Sequence, residues 1–284
     1  MPKKFLAATV CLAAMVLPSC LVRRRQVAAP VKRDNRPILS ASKEDLLSRI
    51  HALTDPIQSF TIKADMSPSV GNFVTGEVMD YATISGTILF HRPDEMRILG
   101  LDPLLHTAIF DMVSSGNDFR LYIPSRSRFI EGKNDVQGTS KSKLENLRPT
   151  AFLTSLLIYP PEPGDLTLLE DDTDETKSVY ILMAVREESG QLRLVRNVYF
   201  DRHSLQPVRQ KTFDASGGMT SEARYGNWTM YGTMLFPGEI EIRRPQDDYE
   251  VTLTVLDIKA NSPDLTPDKF VLEQPPGTQL EELK

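Results

Sequence analysis

Phe60-Thr61-Ile62-Lys63-Ala64-Asp65-Met66 places Phe60, Ile62, Ala64 and Met66 on one side of an extended chain and Thr61, Lys63 and Asp65 on the other. Side chains on a strand alternate between faces, so this period of two reads as a half-buried strand. The segment just before it has the other period. Ser42 precedes Lys43, Glu44 and Asp45, and Leu46, Leu47, Ile50 and Leu53 then recur at helical spacing. That pattern is an N-cap with acids in the first turn, opening a short amphipathic helix over 43–55 that stops before Pro56.

Beyond Met66 the period of two returns repeatedly, over Tyr81–Phe90, Met96–Leu99, Thr107–Val113, Phe119–Ile123, Val179–Val185, Leu192–Phe200, Val208–Phe213, Ser221–Tyr225, Met230–Phe236, Glu239–Ile242 and Val251–Ile258. Turn residues such as Arg92-Pro93-Asp94, Ser115-Gly116-Asn117-Asp118, Ala215-Ser216-Gly217-Gly218 and Pro237-Gly238 separate these runs. About eleven short strands at hairpin spacing predict a mainly β body, an antiparallel sheet that must curl or close. One interruption is helical: Pro149 suits a first turn, Phe152, Leu153, Leu156 and Leu157 form an apolar stripe, and Pro160-Pro161 ends it. The two helices suit one face of the sheet as a cover; simple core packing is the other role open to their stripes.

The first twenty residues, MPKKFLAATVCLAAMVLPSC, combine two lysines, an apolar run and a small residue before Cys20. This is the layout of an export signal, with an apolar core too short to span a bilayer. Leu17-Pro18-Ser19-Cys20 resembles a bacterial lipobox, which implies cleavage before Cys20, a diacylglyceryl group on its sulfur and an acyl chain such as palmitate on its amine. A plain secretory signal cut elsewhere is the alternative. Cys11 leaves with the signal, so an exported body lipidated at Cys20 has no thiol left for a disulfide or for catalysis. More than one acyl chain makes such anchoring stable without a span.

Losing Lys3 and Lys4 with residues 1–19 moves the net charge from −5 to −7. Residues 20–39 carry Arg23, Arg24, Arg25, Lys32, Arg33 and Arg36 against Asp34, a charge of +5, which leaves −12 on residues 40–284. A basic strip beside a lipidated cysteine suits an anionic membrane surface; a solvated tether with incidental charge fits equally. The expected organisation is a signal peptide over 1–19, a flexible basic tether over 20–39 and a single domain over 40–284. An acidic body argues against nucleic-acid binding.

No enzymatic constellation emerges. His51, His91, His106 and His203 are scattered without metal-ligand spacing. There is no nucleophile elbow, phosphate loop or dinucleotide fingerprint, and Ser140-Lys141-Ser142-Lys143 sits in a polar stretch without partner motifs. Glu170-Asp171-Asp172-Thr173-Asp174-Glu175 lacks the glycine and spacing of a calcium loop and reads as a solvated hairpin tip. The expectation is a non-enzyme with no metal and no cofactor other than covalent lipid.

The order of elements resembles the LolA/LolB family of bacterial lipoprotein carriers and receptors. The stretches that carry the resemblance are Phe60-Thr61-Ile62-Lys63-Ala64, the run Ser85-Gly86-Thr87-Ile88-Leu89-Phe90-His91-Arg92-Pro93-Asp94-Glu95-Met96-Arg97, Asn117 to Pro124, and Val198-Tyr199-Phe200-Asp201 through Ser204-Leu205-Gln206-Pro207. The resemblance implies a strongly curved, unclosed antiparallel barrel, a half-barrel lidded by two or more helices, whose apolar concave face holds acyl chains. Lined-up candidates for that face are Phe60, Ile62, Ile88, Phe90, Phe152, Leu156, Ile181 and Met183. Val179, Ile181 and Met183 alternate with Tyr180, Leu182 and Ala184, so this strand is apolar on both faces and needs a cover on each.

The lipobox and tether bring the chain nearer to LolB, the anchored receptor, than to the soluble carrier LolA. In LolB-like proteins a loop between two early strands helps insert cargo into the membrane. Gly100-Leu101-Asp102-Pro103-Leu104-Leu105-His106 occupies that place, with Leu104 and Leu105 as the inserting residues; a turn whose leucines fold back into the core is the alternative. The resemblance thus implies a lipid-anchored periplasmic protein of the outer membrane that binds acyl chains of lipoproteins or lipids and assists their transfer. A scaffold or assembly lipoprotein that keeps the fold and fills its cavity with side chains is the other reading.

Overall fold

The structure, a computed structural model, describes residues 36–72, 77–134, 149–174 and 176–283. The signal, Cys20, most of the expected tether, residues 140–143 and Glu175 lie outside the described residues.

Helix α1 (Lys43–Thr54) starts as its sequence requires. The Ser42 hydroxyl accepts from the Asp45 amide at 3.1 Å, and the Asp45 carboxylate accepts from the Ser42 amide at 2.9 Å, a reciprocal cap that satisfies amides the helix cannot. Strand β1 (Ser59–Asn72) follows. From it a meander runs outward through β3 (Ile84–His91), β4 (Glu95–Leu101), β5 (Ala108–Ser115), β6 (Asp118–Ile123) and β7 (Arg128–Lys133), with a short β2 (Glu77–Asp80) pairing only with the far part of β1.

The chain then passes through helix α2 (Pro149–Leu156) to the opposite edge of the sheet. A second meander returns through β8 (Leu166–Thr173), β9 (Ser178–Glu188), β10 (Gln191–Asp201), β11 (Pro207–Phe213), β12 (Met219–Tyr231), β13 (Met234–Arg244) and β14 (Tyr249–Ala260), and β14 pairs antiparallel with β1. β15 (Gln279–Leu283) lies parallel to β7. The result is one sheet of fifteen strands among the described residues, with β15 and β8 as its separate edges. The sheet is therefore open.

Curvature has local causes. Register shifts interrupt the pairing at Lys63/Ala64, Leu194/Arg196 and Gly100/Leu101, and each bulge bends its strand. Gly86 and Gly100 lie under inward side chains of neighbouring strands: a Cβ on Gly86 would meet Met66 Sδ at 2.7 Å, and one on Gly100 would meet the Phe110 ring at 2.5 Å. The glycines thus leave room for the Met66 side chain and the Phe110 ring over the sheet.

The inward face carries one continuous core. Phe60, Ile62, Ala64 and Met66 of β1, Ile88 and Phe90 of β3, Leu182 of β9, Phe200 of β10 and Leu253 of β14 join Leu46 and Ile50 of α1 and Phe152, Leu153 and Leu156 of α2. A smaller cluster lies outside the sheet, where Phe270 and Leu272 of the C-terminal segment cover Val113 and Phe129. That segment is held by Arg97, whose guanidinium donates to both carboxylate oxygens of Asp111 at 2.9 and 2.6 Å and to the Lys269 carbonyl at 2.9 Å.

Several expected boundaries need correction. The run Met230–Phe236 is not one strand: Gly232, with φ 63°, turns the chain between β12 and β13. Glu170–Thr173 is part of edge strand β8 rather than of a hairpin tip. β2, β7, β8 and β15 raise the strand number above the expected eleven. The tether does not extend to residue 39, because the Leu39 amide donates to the Arg202 carbonyl at 2.7 Å and ties this stretch to the body.

Candidate functional site

Antiparallel registry gives the half-barrel two ends. At one, α1 and Pro56-Ile57 meet the β10–β11 turn, the β12–β13 turn and the end of β14; these elements enclose a cleft of about 340 Å³ lined by Arg49, Ala52, Leu53, Ile57, Leu205, Pro207, Met234 and Leu235 among others. The volume is at the lower end of the range for small-molecule sites. Asn261 fixes one wall. Its Oδ1 accepts from the amides of Gln58 and Ser59 at 2.8 and 3.1 Å, and its Nδ2 donates to the Pro56 carbonyl at 2.8 Å.

Leu53 and Leu235 also border a second, smaller recess of about 20 Å³, lined by Leu156, Leu157, Tyr225, Trp228 and Phe236. The two leucines are thus shared by the cleft and by the apolar recess beside α2. Trp228 is fixed there by its indole N–H, which donates to the Pro207 carbonyl at 3.0 Å.

α2 is pinned into the concave face through its C-terminal carbonyls, the groups that a helix end leaves without partners. Gln210 Nε2 donates to the Thr154 carbonyl at 2.6 Å, and the Tyr225 hydroxyl donates to the Ser155 carbonyl at 2.9 Å. Thr54 Oγ1 donates to the Ile158 carbonyl at 2.8 Å, and Arg196 Nη1 to the Tyr159 carbonyl at 2.6 Å. Two side chains, from β11 and β12, therefore hold the helix end, and two more, from α1 and β10, hold the segment that follows it. Burial raises the Tyr225 hydroxyl far above the ordinary phenol value and lowers the Arg196 guanidinium, while the Tyr159 hydroxyl is pushed up to about 12, mainly by burial. The Tyr225 phenol is thus a neutral donor at physiological pH.

At the opposite end, the β4–β5 turn presents Leu104 and Leu105, which are 86 % and 75 % exposed. Asp102 Oδ1 accepts from both of their amides at 2.9 and 2.8 Å, and His106 takes a left-handed φ of 54°. The amides of Leu105 and Leu104 hold the Asp102 carboxyl below the usual range. The turn is thus built from its own polar groups and leaves the leucines outward. Val78, Met79 and Tyr81 are also exposed at this end.

Of the residues expected to line an acyl cavity, Phe60, Ile62, Ile88, Phe90, Phe152 and Leu156 lie together in the core, and Leu156 alone borders the recess. Ile181 and Met183 are corrected: their strand neighbours Tyr180 and Leu182 point into the core, and Met183 is half-buried on the other face opposite Leu168 of β8. The pinning residues Arg196, Gln210 and Tyr225 went unread; the available signal was a polar group at an inward position of an otherwise apolar strand.

The acidic segment is occupied by its own neighbours. Arg202 Nη1 donates to both Asp171 oxygens at 3.0 and 2.9 Å, Lys177 Nζ donates to Asp172 at 2.6 Å, and Asp174 caps the turn through the Thr176 hydroxyl at 2.7 Å. Among the described residues no group of three potential ligands could hold a metal ion, and no helix is long and apolar enough to cross a membrane.

A LolA superfamily protein from Nitrosomonas europaea superposes with a TM-score of 0.52 at 12 % identity, over 82 % of this chain and 99 % of that one. The fold is LolA-like. A DUF1329 family protein from Desulfovibrio piger gives a TM-score of 0.53 at 14 % identity, covering 81 % of this chain and 95 % of that one. A domain from Vibrio parahaemolyticus described as a putative outer membrane lipoprotein-sorting protein aligns with a TM-score of 0.49 at 13 % identity, over 81 % and 97 % of the two chains. No protein-family model and no curated protein matches the sequence.

Proposed function

We propose that the protein is a LolB-like, lipid-anchored periplasmic component that binds acyl chains of lipoproteins or lipids and assists their transfer to or within the outer membrane. The observation that carries this reading is the cleft at the α1 end, which shares Leu53 and Leu235 with the apolar recess beside α2. Burial of chain methylenes, at about 0.8 kcal/mol each, supplies the affinity. Release then needs a competing apolar destination, and no nucleotide, metal or catalytic residue takes part. Leu104 and Leu105 contact the receiving membrane, and acyl groups on Cys20 keep the protein at the envelope.

A second reading is supported by the occupied concave face. Phe152, Leu153 and Leu156 of α2 fill it, which suits a scaffold or assembly lipoprotein that no longer carries cargo. One experiment separates the two. A signal-less Cys20→Ala protein is purified, extracted for mass spectrometry and offered an acylated peptide. The carrier reading requires co-purifying lipid or saturable uptake; neither would leave the scaffold.

A further inference from the structure

The cleft has an apolar wall and one charged residue. Leu53, Ile57, Leu205, Met234 and Leu235 supply hydrocarbon, whereas Arg49 of α1 is its only ionisable lining group. The neighbouring charges have hydrogen-bond partners of their own. Asp45, one helical turn before Arg49, directs its carboxylate to the amide and hydroxyl of Ser42 at 2.9 and 2.8 Å. Asp55 accepts from His51 Nδ1 at 2.9 Å. On the facing β10–β11 turn, Arg202 is held by Asp171. Arg49 makes no ion pair within 4 Å among the described residues, although after the Ser42 hydrogen bonds its guanidinium helps to hold the Asp45 carboxyl below the usual range. Asn261, another polar lining residue, directs its Oδ1 and one Nδ2 hydrogen to the backbone of 56–59.

We infer that the cleft takes a single-chain anionic amphiphile, its tail along Leu53 and Leu235 and its carboxylate or phosphate head on Arg49. This deepens the acyl-binding reading and rests on it: the guanidinium fork supplies paired donors for an oxyanion at the mouth, and the apolar wall takes the chain. Size supports one chain. At about 30 Å³ per water-sized group, a space of about 340 Å³ holds roughly eleven such groups, too few for the several chains of a mature lipoprotein. The recess that shares Leu53 and Leu235 lets the tail extend further when α2 yields.

The test uses the signal-less Cys20→Ala protein and isothermal titration with three probes of equal chain length, dodecanoate, dodecyl phosphate and the neutral monododecanoyl glycerol, below their aggregation concentrations. Tighter binding of the two anions than of the neutral probe is expected, with Arg49→Gln weakening both anions about fivefold and leaving the glycerol ester within twofold. Leu53→Trp, which fills the cleft, should weaken all three at least tenfold; Met234→Trp serves the same purpose if the first variant does not fold. A preference between carboxylate and phosphate identifies the head. Equal binding of charged and neutral probes, indifferent to Arg49→Gln, overturns head-group recognition while chain binding stands. Binding insensitive to both tryptophan variants places the ligand elsewhere, and no binding of any probe removes the acyl-binding reading together with the inference.

Discussion

Tyr225→Phe removes one oxygen atom and tests whether α2 is held or merely packed. The ring stays in the core and only the bond to the Ser155 carbonyl, 2.9 Å long, is lost. Tyr225 is 5 % exposed, so no solvent replaces the missing donor. A buried carbonyl left in this state costs about 1–2 kcal/mol. In a body of this size each kcal/mol moves the melting temperature by about 2–4 °C, so calorimetry should show a fall of roughly 2–8 °C. The same loss raises the population in which α2 has left the recess. If an acyl chain enters by displacing α2, its apparent affinity rises by up to roughly fivefold per kcal/mol. A lower melting temperature with tighter binding is the expected pair of results. An unchanged melting temperature would refute the pinning; a lower one with unchanged affinity would show that ligand enters without moving α2.

In the signal-less Cys20→Ala protein, replacing Leu104 and Leu105 together by aspartate should leave the melting temperature within about 1 °C, because both side chains are exposed, and should abolish co-sedimentation with uncharged lipid vesicles. Phe90→Ala empties a fully buried site beside Phe60, with ring centroids 5.0 Å apart, and should cost about 3–5 kcal/mol in urea unfolding. The carboxyl of Asp214, held down to about 2 by Ser216, Gln246 and Gly218, should titrate near that value by NMR. Its contribution to the β11–β12 turn is present above the ordinary carboxylate value near pH 4 and is lost as pH falls through about 2, the sign for a depressed acid.

The parts of the fold that were legible are those where one period dominated. Phe60–Met66 alternates cleanly because one face of β1 is core and the other is not, and Ser42 with Asp45 announces α1 through its capping groups. Legibility fails where both faces are apolar. Along β9, period alone cannot choose between Ile181/Met183 and Tyr180/Leu182; pairing with Val198 and Phe200 on β10 settles it. β8 hid because Leu166 and Leu168 face outward and its second half is acidic. The β12–β13 turn hid inside a hydrophobic run, with Gly232 as its only sign.

The site was less legible than the fold. The exposed leucine turn could be placed from its position between two strands, but its outward direction depends on Asp102 accepting from both leucine amides. The cleft is assembled from four chain segments far apart in sequence, and residues such as Leu205, Pro207 and Met234 carry no local signal of a site. Tyr225 and Gln210 looked like ordinary strand residues. Their role appears only when the carbonyls of α2 are brought opposite them.

The central claim is that an acyl chain enters this cleft and reaches the recess beside α2. The chain has a single tryptophan, and that residue, Trp228, lines the recess. Titration with an acylated peptide brominated in mid-chain therefore reports entry directly as quenching of Trp228 fluorescence. Saturable quenching that is lost in Leu53→Trp, after subtraction of the new indole, is expected. Binding of the same peptide with Trp228 unquenched would contradict it.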